Sequence, residues 1–544
     1  VQSIKQRRKK GNPKTGAPTR TLTYSEAINY AAKLVSTGKL DEAERLCLDI
    51  VRVSAQDFNA LHLLAIVQSQ RAAFDKALRY FDQALRANPA SYEVLYNRGS
   101  TLHTLKRYDE AIQSYDAALR LRPDCFDSLT GRGNALQALE RHSEALASYD
   151  AALLLKPDHV ETLSNRGNAL QRLKRLRESV EAYDQALSHQ PHYAEALNNR
   201  GVSLQAQGCL REALDSYNRA LSVDPDYADA AWNKSMLLLL NGEFETGWPL
   251  YEWRWKRSDR LAAPPLAAPL WLGQEDLSGK RILLHAEQGF GDAIQFSRYT
   301  QAVAALGATV LLHVPKPLHP LLRNIAGAKE VIAHDQPLPQ HDLQCPLMSL
   351  PLAFKTTLAT IPARTPYLSA ERERLAKWSA RLGSRHRLRV GLTWAGNTQH
   401  KNDCDRSIAF AALGPLFSLP IDWVCLQKNI RDGEDAELNR LSSIAHFEED
   451  IDDFADTAAL IELCDLVVSV DTAQAHLAGA LGKPVWLLLP FAPDWRWLID
   501  REDSPWYPSA RLFRQQRRGD WDSVIERVKR ELEVCLCVSR VGSA

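Results

Sequence analysis

Asp465-Leu-Val-Val-Ser-Val-Asp471-Thr472-Ala-Gln-Ala-His476-Leu-Ala-Gly-Ala-Leu-Gly482-Lys-Pro484-Val-Trp-Leu-Leu-Leu-Pro490 is the stretch on which the C-terminal fold turns. The apolar run 466–470 is too short for a helix and reads as a buried strand; Gly482 and Pro484 stop the following helix before a second strand starts at Val485. Asp471, at the strand's carboxyl end, is placed to cap a helix starting at Thr472. Thr472 and His476 are four residues apart and share one face of that helix. Open α/β sheets bind ligands beyond the carboxyl ends of their strands, and a helix N-terminus there favours phosphate. The turn is therefore expected to hold the diphosphate of a nucleotide-linked donor.

Outward from that stretch, residues 280–535 alternate strands and helices. Strands are expected at 281–285, 309–313, 342–347, 388–394, 421–427, 465–470, 485–489 and 511–514, with helices near 293–306, 316–325, 370–382, 456–464, 472–481 and 520–535. Such alternation means parallel sheets covered on both faces, in two lobes with a ligand cleft between them. Asp450-x-Asp452 precedes a helix and reads as capping rather than as a metal pair. Trp495, Trp497, Trp506 and Tyr507 suit either stacking on a base or sugar, or packing.

The first half repeats with a period of 34 from residue 24. The eighth position of each unit is Ala31, Ala65, Gly99, Gly133, Gly167, Gly201 and Ser235, and the twentieth is Ala43, Ala77, Ala111, Ala145, Ser179, Ala213 and Gly247. Position 24 is Cys47, Phe81, then Tyr115, Tyr149, Tyr183, Tyr217 and Tyr251; prolines recur at 89, 123, 157, 191 and 225. Small residues let two helices approach, the aromatic fills the gap beside them, and proline ends the second helix. This pattern resembles the tetratricopeptide (TPR) repeat over 24–256. The resemblance puts the sixth position on the helix lining the concave groove: Asn29, Leu63, Asn97, Gly131, Asn165, Asn199 and Asn233. Asn97, Asn165, Asn199 and Asn233 form a carboxamide ladder suited to an extended peptide acceptor, or else a polar residue merely tolerated by the repeat. Arg98, Arg132, Arg166 and Arg200 at position seven read as solvated. Trp248, Trp253 and Trp255 at the array's end read as a cap on the next domain.

In the second half, Gln288-Gly-Phe-Gly291-Asp292, Trp394-Ala-Gly396-Asn397 with Lys401, and Asp471-Thr472-x-x-x-His476-Leu-Ala resemble the ADP-heptose:lipopolysaccharide heptosyltransferases, inverting transferases of the GT-B fold. That family has no TPR array, so a lipopolysaccharide acceptor does not carry over. The likeness implies roles position by position. Asp292 becomes the catalytic carboxylate that takes the acceptor's proton, with Gly289 and Gly291 bending the backbone to aim it. Asn397, Lys401, Asp471, Thr472 and His476 become donor-binding residues, and Lys401 with the helix N-terminus neutralises the departing diphosphate without a divalent metal. Asp292 as a plain N-cap, His476 as a core histidine and Lys401 as a solvated side chain are the alternatives.

The expected architecture is an α-solenoid (TPR superhelix) followed by an α/β GT-B type catalytic domain with two Rossmann-like lobes. Its parts are a disordered basic tail (1–23), the TPR array (24–256), a linker (257–279), an N-terminal lobe (280–370) and a C-terminal lobe with closing helix (371–544). The expected function is transfer of a sugar from a nucleotide sugar to a protein or glycan acceptor, with no cofactor. A non-catalytic TPR scaffold with a degenerate nucleotide site is the alternative. Charge excludes little beyond polyelectrolyte binding: 67 Lys and Arg stand against 66 Asp and Glu, which argues for no nucleic-acid partner. No apolar run has the length of a secretory signal or membrane span, and nine scattered cysteines without a Cys-x-x-Cys pair suit reduced thiols and a cytoplasmic setting.

Overall fold

The computed structural model describes residues 22–257, 266–399 and 402–541. Most of the basic tail, much of the linker and Lys401 therefore lie outside the described residues. The chain divides into two compact units, 1–207 and 208–544.

The first unit is built from paired helices, from Tyr24–Ser36 and Leu40–Val53 through to Leu176–His189 and Ala194–Gln207. Its packing follows from two columns of the repeat. A Cβ at Gly133 would fall 2.5 Å from Cε1 of Tyr149, and one at Gly167 would fall 2.6 Å from Cε1 of Tyr183. The tyrosine at position 24 thus lies against the glycine at position eight of its own unit. Where position 24 is Cys47 or Phe81, position eight carries alanine (Ala31, Ala65). The position-seven arginines are not solvated. Arg98 Nε donates to Asp82 Oδ1 at 2.9 Å, and Arg132, Arg166 and Arg200 donate to Asp116, Asp150 and Asp184 at 2.6 Å. Each pair joins one unit to the one before, and the arginine side chains keep only 19–24% exposure.

The second unit begins with the helices Leu210–Val223, Ala228–Leu240 and Phe244–Tyr251 and continues into two parallel sheets. Strands β1 (Arg281–His285), β2 (Thr309–Val314), β3 (Ala328–Ala333) and β4 (Leu343–Pro346) form one sheet, in the order β3-β2-β1-β4. The other holds β5 (Arg389–Thr393), β6 (Asp422–Cys425), β7 (Ile444–Ala445), β8 (Leu466–Val470), β9 (Val485–Leu489) and β10 (Ala510–Arg514). Its order, β10-β9-β8-β5-β6-β7, is that of a doubly wound nucleotide-binding sheet. β5, β8 and β9 are buried along their whole length; β9 is apolar throughout, while β8 includes Ser469 and β5 includes Arg389 and Thr393.

Direction along each sheet reverses between β1 and β4 and between β5 and β8, so the crevices for ligand lie beyond those carboxyl ends. The two lobes are pinned together there. Helix Phe290–Phe296 packs on helix Ala473–Ala480. Arg298 donates to the carbonyls of Trp506 at 2.8 Å and Pro362 at 3.2 Å, and Phe290 meets Phe454 edge-on at 5.2 Å. The cap expected of the tryptophans is present at Trp248, whose Nε1 donates to the Thr356 carbonyl at 3.0 Å and whose ring meets Trp495 at 5.3 Å. Trp253 and Trp255 instead carry Lys256 and Arg254 over their rings.

Candidate functional site

The loop after β1 delivers Glu287, Gln288 and Gly289, and Gly289 is the N-cap of helix Phe290–Phe296. Asp292, at the third helical position, accepts the Gly289 N–H on Oδ2 at 2.9 Å. Its Oδ1 is ion-paired with Arg496, from the short helical turn Trp495–Trp497 that follows β9. The carboxylate is thus both a helix cap and one half of a bridge between lobes. Gly291 does not bend the chain as expected: it lies inside the helix and outside the left-handed region. What requires glycine is contact, because a Cβ there would sit 2.7 Å from Cδ2 of His476.

On the opposite side, β8 runs into Asp471 and Thr472. Thr472, not Asp471, is the N-cap of helix Ala473–Ala480, and neither side chain caps it; the Thr472 hydroxyl is 3.1 Å from that of Ser469. Helix starts leave their first amides without intrahelical partners, and here the Ala475 N–H is already bonded to the Thr472 carbonyl at 3.1 Å, so Ala473 and Gln474 are the ones at the helix mouth. His476 is buried, its ring stacked on Trp497 at 5.4 Å, with Nδ1 3.0 Å from the Tyr507 hydroxyl and Nε2 3.8 Å from Asp471 Oδ1. Burial, and after it the charge of Arg496, holds its pKa well below the usual histidine value, so the ring is neutral. Burial, and after it the charge of Asp494, raises Asp471 to about 6. His476 is therefore a packed member of the interlobe contact, one turn behind the crevice wall. The aromatic group is packing too: Trp495, Trp497, Trp506 and Tyr507 are all 2% exposed or less.

Asn397 is exposed, and its Oδ1 accepts the Gln399 N–H at 3.0 Å in a local turn; no contact ties it to Asp471 or Thr472. The cation that does reach that turn is Arg406, which the sequence reading passed over. Its Nη1 donates to the Asp471 carbonyl at 3.1 Å, and its guanidinium lies against Gly396 so closely that any Cβ there would overlap it. Its Nε is buried without a hydrogen-bond partner. Gly396 follows β5 and Asp471 follows β8, so Arg406 spans the topological switch point. Asp450 pairs with Arg381, and the cap of helix Phe454–Glu462 is Asp453, not the Asp450-x-Asp452 pair expected from the sequence.

A second group of charges lies under Asp292. Arg254 donates to Glu252 Oε1 at 2.6 Å, Ser349 Oγ at 2.7 Å and Glu287 Oε1 at 3.2 Å, while Glu287 Oε2 is buried without a partner. Burial lifts the Glu287 carboxyl to about 7, against the pull of Arg254. A carboxyl with a raised folded-state pKa contributes stability fully below its unfolded value and loses it as pH rises through the folded value. The window here is about pH 4.5 to 7. Glu287→Gln is expected to flatten the fall in melting temperature of the full chain across that window, a difference on the order of a few kcal/mol by linkage. Thermal denaturation at half-unit pH steps measures it, and parallel curves for the two proteins would refute it.

Comparison with known proteins agrees with this architecture. Tetratricopeptide repeat families match residues 62–125, 126–159, 160–193 and 194–227. Glycosyltransferase family 9 (heptosyltransferase) matches 453–489, the segment from the Asp453 cap through β8, Asp471, Thr472 and His476 to the end of β9. The chain carries tetratricopeptide repeats followed by an α/β region of two parallel sheets. Over 453–489 that region is similar to glycosyltransferase family 9. Protein FlbA of Caulobacter vibrioides (strain ATCC 19089 / CIP 103742 / CB 15) is 30% identical over 324 residues, covering 54% of this chain; the chain spans about half (53%) of that protein's length. Among solved structures, the TPR protein YrrB covers 34% of this chain and 95% of its own at 23% identity and TM-score 0.32. A TPR protein of Parabacteroides merdae ATCC 43184 covers 42% and 91% at 19% identity and TM-score 0.36. No helix among the described residues is long and apolar enough to cross a membrane.

Proposed function

We propose that the second unit transfers a sugar from a nucleotide-sugar donor to a protein or glycan acceptor engaged by the TPR groove. The observation that carries this reading is the Arg406 guanidinium, bound to the Asp471 carbonyl and pressed on Gly396 at the β5/β8 switch point, beside the start of helix Ala473–Ala480. A cation and a helix N-terminus converge there on one spot, which is what a diphosphate requires. In the proposed step the acceptor oxygen attacks the anomeric carbon in line as the bond to diphosphate breaks. The diphosphate leaves with the electron pair, the configuration inverts, and the acceptor's proton passes to Asp292. Asp292 stands at the start of the helix that follows β1, its Oδ2 accepting the Gly289 N–H and its Oδ1 paired with Arg496. Arg406, the helix amides and Lys401 neutralise the leaving group, so the step needs no divalent metal. The free thiols suit a reducing, cytoplasmic setting.

The non-catalytic alternative draws on one observation, the engagement of Asp292 as a cap and bridge. Nucleotide binding separates the two. Nucleoside diphosphates at about 100 times their Kd should stabilise the chain by roughly 2.7 kcal/mol, visible as a raised melting temperature. Arg406→Ala is expected to cut that shift by about half or more at the same ligand concentration, since a charge-assisted bond to phosphate contributes about 1.5–3 kcal/mol. No shift with any of the common nucleoside diphosphates would leave the scaffold reading standing.

A further inference from the structure

The carboxamide ladder of the first unit has a gap, and the gap is a pocket. At position six, Asn97 and Asn165 flank Gly131. The neighbouring amides are occupied: Asn97 Nδ2 meets His62 Nε2 at 3.0 Å, and Asn165 Nδ2 donates to Asn134 Oδ1 at 3.1 Å. Two of the tyrosines at position 24 are tied in the same way, Tyr149 to Asn134 at 2.8 Å and Tyr183 to Asn168 at 2.6 Å. Position nine of the third unit is Ser100 instead of asparagine, and the Tyr115 ring leans over Gly131, where a Cβ would fall 2.7 Å from Cζ and 2.8 Å from Oη. Absence of a side chain at 131 leaves a cavity of about 270 Å³ on the face formed by the first helices of successive repeats.

The cavity's walls define its occupant. Tyr96, Tyr115, Phe126 and His159 supply aromatic surface, Asp127 and Glu161 supply two carboxylates, and no lysine or arginine lines it. The rings meet in two pairs on the wall, Tyr96 and Tyr115 6.1 Å apart and tilted by 44°, and Phe126 edge-on to His159 at 4.8 Å, so a guest lies against them rather than between them. One face of Phe126 is taken by Lys156, which is outside the lining with Nζ 4.1 Å over the ring, so Tyr96, Tyr115 and His159 carry the remaining ring surface. The Thr130 hydroxyl on the wall is buried without a hydrogen-bond partner, an acceptor awaiting a donor. We infer that this pocket receives an arginine side chain of an extended polypeptide lying along the first-helix face. Guanidinium is the group that combines stacking on rings with paired donation to carboxylates, and lysine lacks both the plane and the fork. The inference rests on the groove taking a polypeptide, as proposed above, but does not depend on the sugar-transfer step.

Titration of the full chain with acetyl-arginine N-methylamide, followed by ligand-observed NMR, tests it against the neutral isostere acetyl-citrulline N-methylamide. Arginine is expected to bind at least fivefold tighter. Asp127→Asn with Glu161→Gln, both at exposed positions, should remove that preference, and Gly131→Asn should remove binding of either probe. Because a side chain at 131 crowds Tyr115, the double variant decides the matter if Gly131→Asn fails to fold. Equal affinities, no binding of arginine, or an unchanged preference in the double variant would overturn the assignment. The nucleotide melting shift is read on the same samples. A shift without arginine preference sinks the pocket alone, and arginine preference without a shift sinks sugar transfer alone.

Discussion

Asp292→Asn is expected to slow sugar transfer by about 10² to 10⁴-fold, the range a positioned general base supplies, while the melting shift produced by nucleoside diphosphate is kept. The separation follows from placement: Asp292 follows β1 in one lobe, whereas the proposed diphosphate contacts follow β5 and β8 in the other. Asparagine keeps an acceptor oxygen for the Gly289 N–H but removes the charge paired with Arg496, so the melting temperature of the unliganded variant is measured beside the rate to separate lost chemistry from lost structure. Single-turnover transfer, with the acceptor product read by mass spectrometry, measures it. A variant that turns over at the parent rate removes Asp292 from the chemistry and leaves it a structural residue.

Arg496→Met should act on the fold itself. Arg496 is 6% exposed, pairs with Asp292, donates to Asp494 Oδ1 at 2.8 Å and Gln295 Oε1 at 2.8 Å, and stacks on Trp495 at 4.3 Å. The two carboxylates hold its pKa above the ordinary arginine value in spite of burial. Methionine fills most of the space but leaves two acids and an amide in the interlobe seam without their partner. Breaking a buried pair from one side costs roughly 3–5 kcal/mol. Chemical denaturation of the full chain should show that loss in the transition of the second unit. Adding Asp494→Asn to Arg496→Met should recover part of it, because one uncompensated charge is gone. A loss under 1 kcal/mol, or no recovery, would mean the seam is wetter than the contacts indicate.

Much of this was legible in the chain. The central strands were, because β8 and β9 are buried end to end and predominantly apolar, and β5 carries Val390 and Leu392 between its polar ends. β3 was not: it is an edge strand whose Lys329 and Glu330 are exposed, so half its length has no apolar signal. The helix expected over 293–306 starts earlier and is broken, Phe290–Phe296 and Thr300–Ala305 being separated by a tighter turn at Ser297–Tyr299. In the candidate site, Asp471 and Thr472 stand where β8 gives way to a helix, a position that sequence reveals, whereas Asp292 lies inside its helix and takes its expected role from the family resemblance. Their partners were not legible. Arg496 lies 204 residues from Asp292, and Arg406 lies 65 residues from Asp471. Pairing across such distances leaves no local pattern. Arg496 sits between Trp495 and Trp497, where the aromatic signal drew the reading toward stacking. The position-seven arginines were misread for the same reason, their aspartates lying 16 residues back in the preceding repeat.

Those two kinds of contact in the solenoid have different reach. The Gly133–Tyr149 and Gly167–Tyr183 contacts close within a unit, while the Arg132–Asp116 and Arg166–Asp150 pairs always point one unit back. Deleting or duplicating 34 residues in register within 92–193 would sever neither kind, since Asp82, Asp116, Asp150 and Asp184 recur at the position the next unit's arginine meets. Gene-level slippage could therefore lengthen or trim the array at little cost in folding. What such an event would move is the singular feature, the hole at Gly131, and with it the spacing at which a bound polypeptide is read.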